Sequence, residues 1–401
     1  MQATHLVAEA ASARFPAVHA PPSERLASPG RMRITLVIPS ISTGGAERVI
    51  SIVANHWAGA GREVTLVTFE DPSSDAYPVD PRVRRASLGV AMPGGGPVST
   101  VRYMARVVRG LRREIRASRP DVVISFMDIT NILALLAMRG MRVPLVVTEH
   151  TDPREHRLSG FLRRARTLLY PRATALVVLT EAVRGWAQGR LHGSVHTIPN
   201  PILPPDTARA ASLVVPAPGR TVAGMGRLSY EKGFDQLIRA MAACAPRHPD
   251  WSLLILGEGA ERANLERLAA ELGIADRVFL PGWVRDPTAV LRGAALFVVP
   301  SRYEGFNCAL AEAMSCGLAA VSMDCPSGPG EIIRQGVDGI LVPPGDVDAL
   351  AAAMDRLMSD EAERGRLGTR GLEVLDRFGV EPVMDRWERL LGGIVGAGAE
   401  A

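Results

Sequence analysis

Lysine is almost missing from this chain. Of its 46 basic residues 45 are arginine, and the one lysine is Lys232. Arginine offers a forked plane of donors and lysine a compact point charge. A single lysine in such a chain hints at a position where the ammonium itself is required. Aromatic residues are also scarce, at 5%, which argues against a stacking surface for nucleic acid. The four cysteines, Cys244, Cys308, Cys316 and Cys325, form no CxxC pair and no Cys/His cluster. Neither a zinc site nor a disulfide framework is indicated, and reduced thiols in a cytoplasmic protein are expected. No apolar run reaches the ~18–20 residues of a membrane span. Stretches such as ILALLAM at 132–138 suit core elements.

The first thirty residues are rich in Ala, Pro and Ser and lack the apolar centre of a secretory signal. A disordered tail over 1–31 is expected. Met32, which opens the buried-strand sequence MRITLVIPS, is a candidate start. A chain of 401 residues with 47% hydrophobic content fits two domains of roughly 150–200 residues each. Charge divides it in the same way. Residues 31–200 hold 24 Arg against 13 Asp and Glu, a balance of +11. Residues 201–401 hold 20 Lys and Arg against 27 Asp and Glu, a balance of −7. A basic half suggests an anionic partner; the plain alternative is an arginine-rich solvated surface.

Short Val/Ile/Leu runs alternate with amphipathic stretches in both halves. Strands are expected over 33–40, 63–69, 121–126, 144–150 and 174–180, with helices near 45–59, 99–118, 130–139, 158–170 and 181–188. The proline-rich stretch 199–219 breaks the pattern and reads as a linker. Strands then resume over 221–227, 251–259, 277–283, 295–301, 319–324 and 339–344. Helices are expected near 232–246, 260–272, 286–293, 307–316, 328–335 and 346–358. Two helical segments close the chain, about 360–377 and 381–394. The fold class is therefore α/β: two doubly wound, Rossmann-like domains, 32–200 and 220–377, joined by a linker at 201–219. The final segment, 378–401, is expected to cross back to the first domain. Ligands of such sheets bind beyond the carboxyl ends of the strands, and two of them facing each other make a cleft.

Three segments carry chemistry. PSISTGGAER (39–48) joins a strand to a helix; Gly44 and Gly45 permit a sharp turn and close approach of a ligand, and the helix offers its first amides to an anion. It is not the dinucleotide fingerprint, and a plain tight turn is the alternative. GMGRLSYEKGFDQLI (224–238) sets Arg227 and Lys232 across another strand–helix junction, where both can reach one diphosphate; the alternative is two surface cations. SRYEGFNCALAEAMSCG (301–317) places Glu304 before a helix and Glu312 within it. Eight residues are a little over two turns, so both carboxylates can line one groove and accept hydrogen bonds from sugar hydroxyls. Glu312 lies in the apolar run ALAEAM, where an unpaired charge would be expensive, so a ligand or a partner is expected. In DVD at 346–348, Asp346 reads as a helix N-cap, not a metal ligand.

Together these segments resemble the retaining glycosyltransferases of family 4, which have the two-domain GT-B fold, from about Met32 to Leu391. The carriers are the Glu-x7-Glu pair in EGFNCALAE, the GRLSYEKG segment and the STGGAER loop, in order and spacing. The resemblance implies that Arg227 and Lys232 grip the donor diphosphate, that Glu304 contacts the transferred sugar, that Gly305, Phe306 and Asn307 after it also bind the donor, and that Glu312 contacts the ribose. It places Gly44 and Gly45 near donor phosphate, His150 of VVTEH against donor sugar or acceptor, and Asn200 of IPNP on the donor side. The family commonly has Gly or Pro where this chain has Asn307. DCPSGPGEII (324–333) and SFMDITN (125–131) resemble enzymes that extend polyprenyl-diphosphate-linked or cell-surface glycans. Glu331 resembles an acidic residue near the donor, or it serves the helix N-terminus there.

The implied reaction passes a glycosyl group from a nucleoside diphosphate sugar, UDP by default, to an acceptor hydroxyl with retention, using no metal or other cofactor. An epimerase of the same fold, a non-catalytic sugar-nucleotide binder and a nucleic-acid binder are the alternatives; the last lacks aromatic interleaving. In 101–116, Val101, Met104, Val108, Leu111 and Ile115 take one helical face, and Arg102, Arg106, Arg109, Arg113 and Arg116 another. With FLRRARTLLYPR (161–172), that pattern suits an ordinary surface helix or one lying on an anionic membrane. The expected location is cytoplasmic, with a peripheral seat on the inner face of the plasma membrane.

Overall fold

The computed structural model describes residues 32–90, 94, 96–156, 158–208 and 215–399. The expected tail at 1–31 and the middle of the linker lie outside them. Two parallel sheets carry the chain. The first has seven strands: β1 (Arg33–Ile38), β2 (Glu63–Thr68), β3 (Arg84–Ser87), β4 (Val122–Phe126), β5 (Leu145–Glu149), β6 (Ala175–Val178) and β7 (Val195–Thr197). They run in the order β3-β2-β1-β4-β5-β6-β7. The second has six: β8 (Thr221–Met225), β9 (Ser252–Leu256), β10 (Val278–Gly282), β11 (Leu296–Val299), β12 (Ala319–Met323) and β13 (Ile340–Val342). Their order is β10-β9-β8-β11-β12-β13. Central strands such as β4 and β5 are buried along their whole length, as continuous apolar runs covered on both faces require.

Two strands were not expected from the sequence. β3 reads RRAS and β7 reads VHT. Both are edge strands, where one side meets solvent and the apolar signal fades. The segment 360–377 is two helices, Glu361–Gly371 and Val374–Phe378. Helix Pro97–Ser118 buries Val107, Leu111 and Ile115, whereas Val101 is exposed. Val101 therefore shares the spacing of that face without its burial, whereas Met104 and Val108 pack against the core.

Each sheet reverses its order at its middle, between β1 and β4 and between β8 and β11. The loops leaving those four strands open the crevice in which such folds bind ligands. They contain STGGAER, SFMD, GRLSYEKG and SRYEGFN.

The chain crosses between domains twice, side by side. Ile202 is buried on the way out and its amide donates to Phe378 O at 2.9 Å on the way back. Beyond that point helix Val380–Ala399 buries Val383, Met384, Trp387 and Leu391 in the core of the first domain. Trp387 meets Trp57 edge-to-face at 6.0 Å, and Glu388 accepts from Trp57 Nε1 at 2.9 Å and from Arg62 at 2.8 Å. The first domain thus contains the last helix of the chain. Trp387→Ala is expected to destabilise it by about 3–5 kcal/mol, read as a lower urea midpoint; an unchanged midpoint would refute that packing role.

Candidate functional site

The second domain builds its side of the cleft from the loops after β8 and β11. Lys232 ends a short 3-10 turn, Tyr230–Lys232, closed by Gly233 in the left-handed region (φ 64°). A Cβ on Gly233 would lie 2.1 Å from Pro300 O, so only glycine lets this turn lie on the end of β11. Lys232 Nζ then reaches both oxygens of Glu304, at 2.8 and 2.9 Å. The same carboxylate accepts from Ser301 Oγ at 2.6 Å and Asn307 Nδ2 at 2.9 Å. Asn307 is itself left-handed (φ 64°), and its Oδ1 caps helix Cys308–Ser315 by accepting from Leu310 N at 2.9 Å. Asparagine tolerates that conformation better than most residues, so one side chain turns the backbone, starts the helix and steadies Glu304.

Arg302 joins the two loops from behind. It donates to both oxygens of Asp235 at 2.9 and 2.8 Å and to Tyr230 O at 2.7 Å, and its guanidinium lies 4.2 Å over the Tyr230 ring. Nothing in the sequence singled out Arg302 or Asp235, because an arginine in a chain of arginines carries no signal. Arg227 is exposed, and its side chain makes no hydrogen bond or ion pair among the described residues. Its charge acts across the cleft on Glu47, whose carboxyl is pushed up by burial and pulled back in part by Arg227.

The first domain supplies the opposite wall. Gly44 is extended (φ 179°) and Gly45 begins helix Gly45–Gly59. Neither uses the left-handed freedom expected of a sharp turn. A Cβ on Gly45 would meet nothing within 4 Å, which leaves space beside the helix start. The two walls touch at Gly305, where a Cβ would lie 2.3 Å from His150 O. His150 is half-buried, stacks on Phe126 at 4.8 Å and shares a 2.8 Å hydrogen bond between Nε2 and Thr148 Oγ1, while its Nδ1 is shut away from solvent without a partner. Burial pushes its pKa down to about 3. Asn200 donates to Cys308 Sγ at 3.3 Å.

Glu312 is buried, and its partner is Arg48 of the first domain, with Nη1 to Oε1 at 2.9 Å. The sequence called for a partner here but did not name Arg48. Two expected site residues fall elsewhere. The ring of Phe306 is in the core, edge-to-face with Phe378 at 5.0 Å, because the residue after Gly305 turns inward to start the helix; only its backbone remains for a ligand. Glu331 accepts from the amides of Glu181 and Ala182 at 2.9 and 3.0 Å. It serves a helix start, but that of Glu181–Ala187 in the other domain, and it bridges the cleft instead of lining the Lys232 pocket.

SFMDITN forms the floor. Ser125 Oγ donates to Asn131 Oδ1 at 2.6 Å, Asn131 to the Tyr170 hydroxyl at 3.0 Å, and Tyr170 to buried Glu149. Asp346 accepts from Ala349 N at 2.8 Å and caps its helix. All four cysteines are free thiols.

Two doubly wound domains with their switch-point loops facing across a cleft define the GT-B class of glycosyltransferases. The chain belongs to this class: the family glycosyl transferases group 1 matches residues 209–374, and Glycosyltransferase Family 4 matches residues 43–204. An exopolysaccharide phosphotransferase of Streptomyces coelicolor is 35% identical over 71% of this chain, which spans only 30% of that protein's length. An alpha-1,4-N-acetyl-D-galactosaminyltransferase of Campylobacter jejuni, named for a diNAcBac-PP-undecaprenol glycan, is 26% identical over 91% of this chain and 100% of its own length. The structure of HepE from Anabaena in complex with UDP and glucose superposes with a TM-score of 0.73 at 22% identity, covering 90% of this chain and 100% of that one. The protein is a glycosyltransferase, with relatives in polysaccharide, lipopolysaccharide and lipid-linked glycan biosynthesis.

The imidazole with its inaccessible Nδ1 yields a pH prediction. A histidine whose folded pKa lies below its unfolded value near 6.5 adds stability above that value and loses it as pH falls toward 3. NMR of His150 is expected to show a neutral ring at pH 5; a charged ring there would refute the burial argument.

Proposed function

We propose that this protein transfers a sugar, with retention, from a nucleoside diphosphate donor, UDP by default, to a hydroxyl of a glycan or lipid-linked glycan. The observation that carries the reading is the Lys232–Glu304 pair at the switch point of the second sheet, with Gly305 seated on His150 across the cleft. The ammonium and exposed Arg227 lie where a diphosphate over the β8 loop would gather charge as the glycosidic bond breaks, and stabilising that charge lowers the barrier. Glu304, held by Ser301 and Asn307, is fixed as an acceptor for hydroxyls of the transferred sugar. Closure aligns donor and acceptor and excludes water. A donor phosphate oxygen takes the acceptor's proton, so no separate protein base is required. No metal is required in this scheme.

Transfer is measured with a panel of nucleotide sugars and polyprenyl-diphosphate-linked acceptors. Lys232→Ala and Glu304→Ala are each expected to abolish turnover while thermal melting shows a folded chain, and EDTA is expected to change nothing. Near-normal turnover in either variant, or activity lost in EDTA and restored by Mn²⁺ or Mg²⁺, would contradict the reading.

The acceptor is proposed to arrive from an anionic membrane surface. No described helix is long and apolar enough to cross a membrane. Among the described residues of the first domain, the exposed large apolar side chains are Val98, Val101, Ile129, Leu136, Phe161 and Leu168. They lie on helices Pro97–Ser118, Asp128–Ala137 and Gly160–Leu169, which pack side by side. Arg102, Arg106, Arg109, Arg113, Arg116, Arg163 and Arg164 are exposed on the same helices. Apolar insertion ringed by cations is how a protein lies on such a surface. Flotation with anionic liposomes at low salt is expected to carry the protein and to weaken with Phe161→Asp; absence of binding at low salt would defeat the proposal.

A further inference from the structure

Glu312 takes its cation from the opposite domain. Arg48 projects from helix Gly45–Gly59 of the first domain, and Glu312 from helix Cys308–Ser315 of the second. The Glu312 side chain is 6% exposed and that of Arg48 21%. The other groups that act on this carboxylate do not offset its charge. Asp286, at the start of helix Pro287–Leu291, is acidic. Cys308 on its own helix and Cys316 just beyond it are half-buried thiols with raised pKa values, and Tyr77 of the first domain is a neutral phenol. A buried carboxylate without a cation takes up a proton and loses acceptor capacity. Burial pushes the Glu312 carboxyl up, and Arg48 pulls it back down.

We propose that Arg48 is a positioning residue for the donor's ribose: reaching across the cleft, it holds the Glu312 carboxylate ionised and oriented, so that ribose recognition is complete only when the domains are closed. This rests on the reading of Glu312 as the ribose contact. The ion pair has one half on each domain, and opening removes the cation from the carboxylate. A nucleotide whose hydroxyls need an ionised Glu312 binds the closed arrangement better, and differential affinity of that kind shifts the population toward closure. Arg48 of the acceptor-side domain thereby contributes to donor affinity without itself touching the nucleotide.

The test uses the full chain and calorimetric titration with UDP and its 2′,3′-dideoxy analogue, which lacks both ribose hydroxyls; GDP and its dideoxy analogue are run alongside. Arg48→Gln is expected to weaken UDP about tenfold and to leave the dideoxy analogue unchanged, so that ribose discrimination collapses. Raising the pH is expected to restore UDP binding in this variant, because a carboxyl with a raised pKa regains its charge as pH rises through it. Arg48→Lys keeps a cation and is expected to retain most of the discrimination. Equal weakening of both ligands by Arg48→Gln, or no weakening of either, would overturn the inference, provided that Glu312→Gln still removes ribose discrimination. Ribose discrimination that survives Glu312→Gln, or failure of the unaltered protein to bind either nucleotide, strikes instead at the donor-site reading.

Discussion

A carboxylate placed at the mouth of a cleft and shut away from water must be answered by a cation, and Glu304 is answered by Lys232. Much of the second domain's cleft wall serves that pair. Gly233 lets the lysine turn lie on the end of β11, Asn307 starts the next helix while holding Glu304, and Arg302 ties the two loops together from the far side. Each of these groups is itself bonded to another. The pair is therefore held in place by its own neighbours, the preorganised charge on which the proposed transfer rests.

The seam between the domains is made of contacts that a ligand can reinforce. Gly305 lies against the His150 carbonyl, Arg48 meets Glu312, Glu331 takes two amides of helix Glu181–Ala187, and Arg154 donates to Pro326 O at 3.3 Å. These four are polar or backbone contacts, and the apolar contribution from the first domain is small beside them: Leu179 joins the second domain's core cluster, whereas Trp387 and its neighbours bury a whole helix face in the first domain. Interfaces of that kind allow relative domain motion. The two crossings of the chain, adjacent at Ile202 and Phe378, supply a place about which it can turn.

The central strands and the loops that follow them were legible because their signals are local. Continuous apolar runs gave β4 and β5, and the junctions at Lys232 and Glu304 announced themselves by glycines and by charge in apolar surroundings. What could not be read was pairing. Arg48 and Glu312 stand far apart in the chain, and an arginine among 45 is silent until the fold brings it to its carboxylate. The partner of Glu331 is hidden for the same reason: its own short helix is visible in the sequence, but the helix whose amides it serves belongs to the other domain. Phe306 stands inside the EGFN motif, and the motif alone does not show that the backbone turns its ring into the core. The edge strands β3 and β7 were hidden by their half-polar sequences.

The lone lysine has a physical account in this geometry. Lys232 Nζ lies 2.8 and 2.9 Å from the two oxygens of one carboxylate, and its stem runs so close over Gly226 that a Cβ there would lie 3.3 Å from Lys232 Cδ. A compact ammonium with three rotatable donors can hold both oxygens and still offer a donor to a phosphate. A guanidinium engaged with Glu304 would present a flat fork whose remaining N–H groups point in fixed directions. Elsewhere in the chain the fork is an advantage: bidentate at Asp235, stacked on Tyr230, or exposed on the basic helices. The composition that made Lys232 conspicuous thus reflects two different demands, a broad one for positive surface and a narrow one for a compact charge that holds both oxygens of Glu304 and keeps a donor free, as the proposed grip on a donor diphosphate requires.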